Sequence, residues 1–201
     1  PSPYLRDTPN KYDTLRILFV GSICVRKGLR YLFEAMQKLR GRNVKCRVVG
    51  PISLPQNVLR RYVPSNVEIV GPVPRSEIAR EYRAANVFCL PSLCEGSATV
   101  IYEALAAGLP VVTTPNAGSI IRDGIEGFIV PIKNSEILAE KLKYLDENRH
   151  LVFEMGQRAT QRSYFGSLDA YAQRLTSFIA SVTKYTNFNF PIGFASPAQQ
   201  A

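Results

Sequence analysis

Between Val87 and Thr114 the chain reads as strand, turn, helix and strand, and few folds absorb that order. Val87-Phe88-Cys89-Leu90 is apolar throughout and stops at Pro91. A strand with no polar face needs cover on both sides, the condition of a parallel sheet between helix layers. Gly108-Leu109-Pro110 ends the intervening helix, and Val111-Val112-Thr113-Thr114 begins the next strand. The same alternation runs through the rest of the chain. Arg16 to Gly21, Lys45 to Val49, Val67 to Val70 and Gly127 to Val130 are strand-type runs. Gly28 to Leu39 carries Leu29, Leu32, Phe33, Met36 and Leu39 at helical spacing and stops near Gly41. Ser76 to Ala84 places Ile78 and Tyr82 with Ala85 on one face, and Ser135 opens a helix carrying Ile137, Leu138, Leu142 and Leu145. A last helix runs from about Leu168 to Val182. The expected fold class is α/β, a Rossmann-like three-layer α/β/α arrangement with a mostly parallel sheet.

A chain of 201 residues with 46% hydrophobic residues can bury one sizeable core. One ligand-binding domain is expected over 14–183, after a polar, proline-rich linker at 1–13 and before a flexible tail at 184–201. No apolar run approaches the roughly 18–20 residues that span a bilayer, and no signal-peptide pattern opens the sequence. The expected location is cytoplasmic. Cys24, Cys46, Cys89 and Cys94 have no C-x-x-C or zinc-ligand spacing, which suits reduced thiols. The formal net charge of +9 suits an anionic partner: a nucleotide, a nucleic acid or an acidic membrane surface. Nucleic acid is set aside, because no helix-turn-helix, zinc or RNP-type motif is present and the basic residues are scattered, with Arg40-Gly41-Arg42 and Arg60-Arg61 as small clusters. Peripheral contact with the inner face of the membrane stays among the expectations.

In such sheets ligands bind beyond the carboxyl ends of the strands. The polar residues gather there. Glu95-Gly96-Ser97-Ala98-Thr99 leads into a helix, and a helix start attracts anions because its first N–H groups lack partners and its dipole is positive. After the first strand, Gly21-Ser22-Ile23-Cys24-Val25-Arg26-Lys27-Gly28 sets two cations at a strand end, with Gly21 permitting close approach of a ligand. Its spacing is neither a P-loop nor G-x-G-x-x-G, so a solvated basic turn remains an equal alternative. Glu95 and Glu103 are separated by seven residues. Glu103 shares a helix face with Thr99 and Ala107, while Ile101, Ala104 and Leu105 point to the core. A carboxylate there suits a ribose diol, and Glu95 suits a transferred group beside the phosphates. The alternative is a dipole-capping Glu95 and a solvated Glu103. His150 lies in a polar stretch and reads as a solvated surface residue.

Taken in order, Val20-Gly21, Lys27-Gly28, Ala85-Asn86-Val87, Leu90-Pro91-Ser92, Glu95-x7-Glu103-Ala104 and Ala107-Gly108-Leu109-Pro110-Val111-Val112 resemble the glycosyltransferase group 1 family, from Ile17 to Leu145. The resemblance implies a retaining enzyme of GT-B fold, and only its C-terminal, donor-binding domain. Residues 1–13 would then be the linker from an N-terminal domain that holds most of the acceptor site. The helix from Leu168 would cross back onto that domain. The implied activity is hexosyl transfer from a nucleoside-diphosphate sugar to a sugar, lipid-linked or polysaccharide acceptor, with this half inactive alone.

Carried over by position, the resemblance gives Lys27 the donor pyrophosphate and Glu95 the sugar at the reaction centre. The backbone of Gly96, Ser97, Ala98 and Thr99 takes phosphate, and Glu103 takes the ribose. Val73, in the loop Gly71-Pro72-Val73-Pro74, lies against the base. Gly21, Ser22 and Arg26 line the phosphates. Ser22 stands where many members have arginine, and Arg26 offers that charge from a different position. Ser97 and Ala98 replace the usual phenylalanine and glycine. No two aspartates stand two apart, so no Asp-x-Asp metal clamp exists, and neither metal nor cofactor is expected. Cations and a helix start would stabilise the leaving group instead. Two alternatives are a nucleotide-sugar-binding module without turnover and a nucleotide-sugar epimerase. The epimerase calls for acid–base residues that the sequence does not supply.

Overall fold

The computed structural model describes residues 13–185. The expected linker, apart from Asp13, and the expected tail beyond Tyr185 lie outside the described residues. Six strands form one sheet: β1 (Leu15–Val20), β2 (Val44–Val49), β3 (Val67–Gly71), β4 (Val87–Leu90), β5 (Val111–Thr113) and β6 (Gly127–Ile129). Their order is β3-β2-β1-β4-β5-β6, and every pairing is parallel. β1 and β4 are central and buried along their length except at Arg16, as their unbroken apolar sequence demands. From β1 the chain builds outward to β3, then crosses back to β4 and builds outward the other way. At that reversal the connections diverge, opening a crevice at the carboxyl ends of β1 and β4.

Among the described residues, six helices connect and cover the strands: α1 (Leu29–Lys38), α2 (Gln56–Tyr62), α3 (Ile78–Ala84), α4 (Thr99–Ala106), α5 (Ser135–Glu147) and α6 (Arg149–Phe165); α7 (Leu168–Tyr185) follows them in the chain. Right-handed crossovers put α1 and α2 on one face and α3 and α4 on the other. α1 packs on α5, and α4 packs on α6. The helical periodicity holds where it was strong. Leu29, Leu32, Phe33 and Met36 are buried on α1, and Ile101, Ala104 and Leu105 on α4. Asn134 caps α5, its side-chain oxygen accepting from the Ile137 N–H at 2.9 Å.

Two helices were not expected. α2 is short and buries only Leu59, too little to show a period. α6 runs 17 residues through charged sequence, with Gly156 in its interior. Glycine normally weakens a helix, but here a Cβ would sit 2.5 Å from the Gly108 carbonyl oxygen. The close packing of α6 on the α4–β5 turn requires it.

Contacts divide the chain after Gly166 into a larger unit and a second unit beginning at Ser167. Within the second, α7 extends through Tyr185, three residues past its expected end, and takes in the first two residues of the expected tail. Among the described residues, no helix is long and apolar enough to cross a membrane. The four cysteines form no disulfide. Cys46 and Cys89 are buried and Cys94 is exposed. Burial pushes the Cys46 thiol up to about 12.

Candidate functional site

The loops leaving β1 and β4 are sewn together at the crevice. After β1, a single 3₁₀ turn at Val25–Lys27 closes on Gly28, which is left-handed at φ 73. A Cβ there would lie 1.8 Å from the Pro91 carbonyl oxygen, so only glycine lets one loop rest on the other. The Leu93 N–H donates to the Arg26 carbonyl at 2.8 Å, and the Ser92 hydroxyl donates to the same oxygen at 3.2 Å. The Arg26 guanidinium donates to the Cys94 carbonyl at 2.9 Å. The basic segment is a turn fixed by its partner across the switch point, with Lys27 buried and Arg26 half exposed, so the alternative of a solvated basic turn describes Arg26 and not Lys27.

This seam brings Lys27 and Glu95 together. Lys27 Nζ is 2.8 Å from Glu95 Oε1, with the two side chains 11% and 12% exposed. Arg26, half exposed, pairs with the same oxygen. The Ser92 hydroxyl lies 3.2 Å from that oxygen too, which is a second acceptor for the one proton it shares with the Arg26 carbonyl. Burial would raise the Glu95 carboxyl, but the hydrogen bond and charge of Lys27, then Ser92 and Arg26, outweigh it and hold the group below its ordinary value of 4.5. Two cations around one anion leave a net charge of +1 at the head of the crevice. Glu95 therefore spends its charge on Lys27 and Arg26, and the helix dipole is left uncompensated. No side chain caps α4, whose N-cap is Ala98.

A third loop, following β5, supports the turn before α4. The Glu95 N–H donates to the Asn116 carbonyl at 2.8 Å and the Ala98 N–H to the Ala117 carbonyl at 3.1 Å. Asn116 Nδ2 donates to the Leu93 carbonyl at 2.9 Å. Gly118, at φ 62, lies so close that a Cβ would meet the Gly96 carbonyl oxygen at 2.1 Å. One expectation is corrected here. Ala98 was to offer its amide to phosphate, but that amide is committed to Ala117 and the residue is 3% exposed. The N–H groups of Gly96, Ser97, Thr99 and Val100 have no acceptor among the described residues, the last two because they open the helix.

Glu103 lies one turn inside α4, exposed beside Thr99 on the face that periodicity assigned to it. Its Oε2 accepts from the Tyr82 hydroxyl at 2.8 Å. Gly21 and Ser22 stand at the end of β1, where the Lys27 side chain passes within van der Waals reach of the Gly21 position. Val73 follows β3 at the same edge of the sheet, half-buried against the core and two strands away from β1. His150 is exposed on α6.

Sequence reasoning missed Tyr82, Asn116 and Gly118. Tyr82 was assigned to the apolar face of its helix, and its hydroxyl was overlooked, although a buried tyrosine normally finds a partner. Pro115-Asn116-Ala117-Gly118 carries the composition of a turn. Nothing local in it says which loop it supports.

Residues 14–148, about two thirds of the chain, match the sequence model of the family Glycosyl transferases group 1. The amylovoran biosynthesis glycosyltransferase AmsK of Erwinia amylovora is 29% identical over 178 residues, covering 81% of this chain and 44% of that protein. A glycosyltransferase of Rickettsia africae superposes with a TM-score of 0.73 at 25% identity, over 88% of this chain and 49% of that one. Anabaena HepE, solved in complex with UDP and glucose, superposes with a TM-score of 0.71 at 19% identity, over 85% of this chain and 49% of that one. That last likeness is one of fold. The chain spans less than half the length of the curated relatives it matches.

Proposed function

This chain belongs to the group 1 glycosyl transferases, and we propose that it is the half of such an enzyme that holds the donor, a nucleoside-diphosphate sugar. The observation that carries this is the Lys27–Glu95–Arg26 cluster at the switch point, next to the open N–H groups that lead into α4. Breaking the bond between sugar and diphosphate leaves negative charge on the departing phosphate. Lys27, Arg26 and those N–H groups are dipoles and charges already in place to receive it, which is electrostatic catalysis without a metal. Lys27 has three donors, so it can keep Glu95 and still reach a phosphate oxygen. Glu95 then stands between the phosphate cation and the sugar. Glu103 takes the ribose hydroxyls, and the loop with Val73 lies against the base. The complex of Anabaena HepE with UDP and glucose supports this choice of donor.

The acceptor, a sugar, lipid-linked sugar or polysaccharide, is proposed to bind residues outside these 201, which leaves the chain inactive alone. Retention of configuration and a cytoplasmic site, with basic charge toward the inner membrane face, complete the proposal.

The test is calorimetric titration with UDP, GDP and ADP in EDTA. One of the three binds, with an affinity that EDTA does not change. Lys27→Ala weakens it by about 1.5–3 kcal/mol, the scale of a charge-assisted hydrogen bond, while the matching nucleoside loses little. No binding by any of them, or binding that needs added metal, overturns the proposal.

A further inference from the structure

The side chain of Glu103 is exposed, yet one of its oxygens is already held. The Tyr82 hydroxyl donates to Oε2 at 2.8 Å. Tyr82 belongs to α3, is 4% exposed, and sets its ring 5.9 Å from that of Phe88 in β4. The hydroxyl also stands 3.3 Å from the Val100 carbonyl oxygen. A phenol has one proton to give, and the shorter contact to a carboxylate takes it. Burial, then the bond to Glu103 and its charge, drive the Tyr82 pKa upward, so the hydroxyl stays a donor. No described residue donates to Glu103 Oε1.

We propose that Tyr82 is a positioning residue. By holding Oε2 it fixes the Glu103 carboxylate with Oε1 presented to a vicinal diol, and so sets the preference for a ribose-bearing nucleotide. The inference rests on the ribose role given to Glu103 above. A free glutamate on a helix surface samples several rotamers and loses that freedom when a ligand captures it. A carboxylate held in advance loses less, which is the general gain from preorganisation. The anchor is rigid, because the ring that carries the hydroxyl is packed in the core. It is also close in sequence to the loop proposed for the base. The stretch 71–84 carries both Val73 and, through α3, the hydroxyl that orients Glu103. If Tyr82 served the fold alone, the Val100 carbonyl would suffice for its hydroxyl, and ligand preference would not depend on it.

The experiment titrates the chain and its Tyr82→Phe, Glu103→Ala and double variants with UDP, GDP and ADP and with their 2′,3′-dideoxy analogues. Thermal melting of each variant is recorded alongside. Tyr82→Phe keeps the ring and loses only the hydroxyl. The unmodified chain binds one diphosphate more tightly than its dideoxy analogue, and Glu103→Ala removes the difference. Tyr82→Phe shrinks it by about three- to tenfold, the share of one hydrogen bond, and leaves the affinity for the dideoxy analogue unchanged. In the Glu103→Ala background the second substitution changes nothing further. If Glu103→Ala abolishes the preference while Tyr82→Phe leaves it whole, the positioning role is wrong and the reading of Glu103 stands. If the unmodified chain shows no preference, or Glu103→Ala does not alter it, both fall.

Discussion

Replacing Glu95 with glutamine should make the chain bind a nucleoside diphosphate more tightly. The carboxylate touches both Lys27 and Arg26, the cations proposed for the phosphates. A phosphate that reaches Lys27 therefore comes close to Glu95 as well. At a separation of ~6 Å and an effective dielectric of ~20, each phosphate charge is opposed by about 3 kcal/mol. Arg26 is half exposed and the mouth of the crevice is open to water, so roughly half of that survives screening. Glu95→Gln is then expected to gain about 1–2 kcal/mol, or about five- to thirtyfold in Kd. The gain should shrink as salt is raised. The ligand-free variant should melt at a lower temperature, because Lys27 is only 9% exposed and loses its charged partner. Saturating diphosphate should restore part of that loss. Calorimetry at low and high salt, with melting curves, measures all of this. Unchanged or weaker affinity at low salt would show that Glu95 does not compete for the phosphate cations.

Two further outcomes follow from the support around the site. Gly118→Ala meets the Gly96 carbonyl at 2.1 Å and is strained at φ 62, so melting temperature and nucleotide affinity should both fall; Gly41→Ala, at φ 84 with nothing within 4 Å, should cost stability alone. Equal affinity in the two variants would separate the third loop from the phosphate turn. Glu126 has a fully buried side chain paired with Arg122. Burial would raise its carboxyl, but the bonds and charge from Arg122 outweigh that and hold it below 4.5. A depressed carboxyl contributes stability above its unfolded value that is lost as pH falls through the folded one. Melting temperature should therefore drop as pH falls below about 4.5, and Glu126→Gln should flatten that decline; an unchanged pH profile would contradict it.

Strong periods were legible in the sequence, and non-local contacts were not. β4 and α4 could be read because Val87 to Leu90 is wholly apolar and Ile101, Ala104 and Leu105 recur at helical spacing. α6 was not read, although its buried Val152, Met155, Gly156 and Ala159 recur at helical spacing. A glycine and an alanine take two of the four positions, and the sequence around them is charged and polar. Lys27 and Glu95 were each picked out, but their meeting depends on Gly28 resting on Pro91, a contact between distant parts of the chain. The same holds for the Ala98 amide, lost to Ala117. It holds too for Tyr82, whose helical face said core while its hydroxyl reached Glu103.

The central claim is that the diphosphate sits between Lys27 and the start of α4. Amide chemical-shift mapping of the isotopically labelled chain during titration with UDP, GDP and ADP tests it most directly. The largest shifts should fall on the open N–H groups of Gly96, Ser97, Thr99 and Val100, with the Lys27 ammonium following, while the amino ends of β1, β2 and β3 stay unmoved. Shifts centred on those amino ends, or none at Gly96 to Val100 with any of the three, would contradict the account.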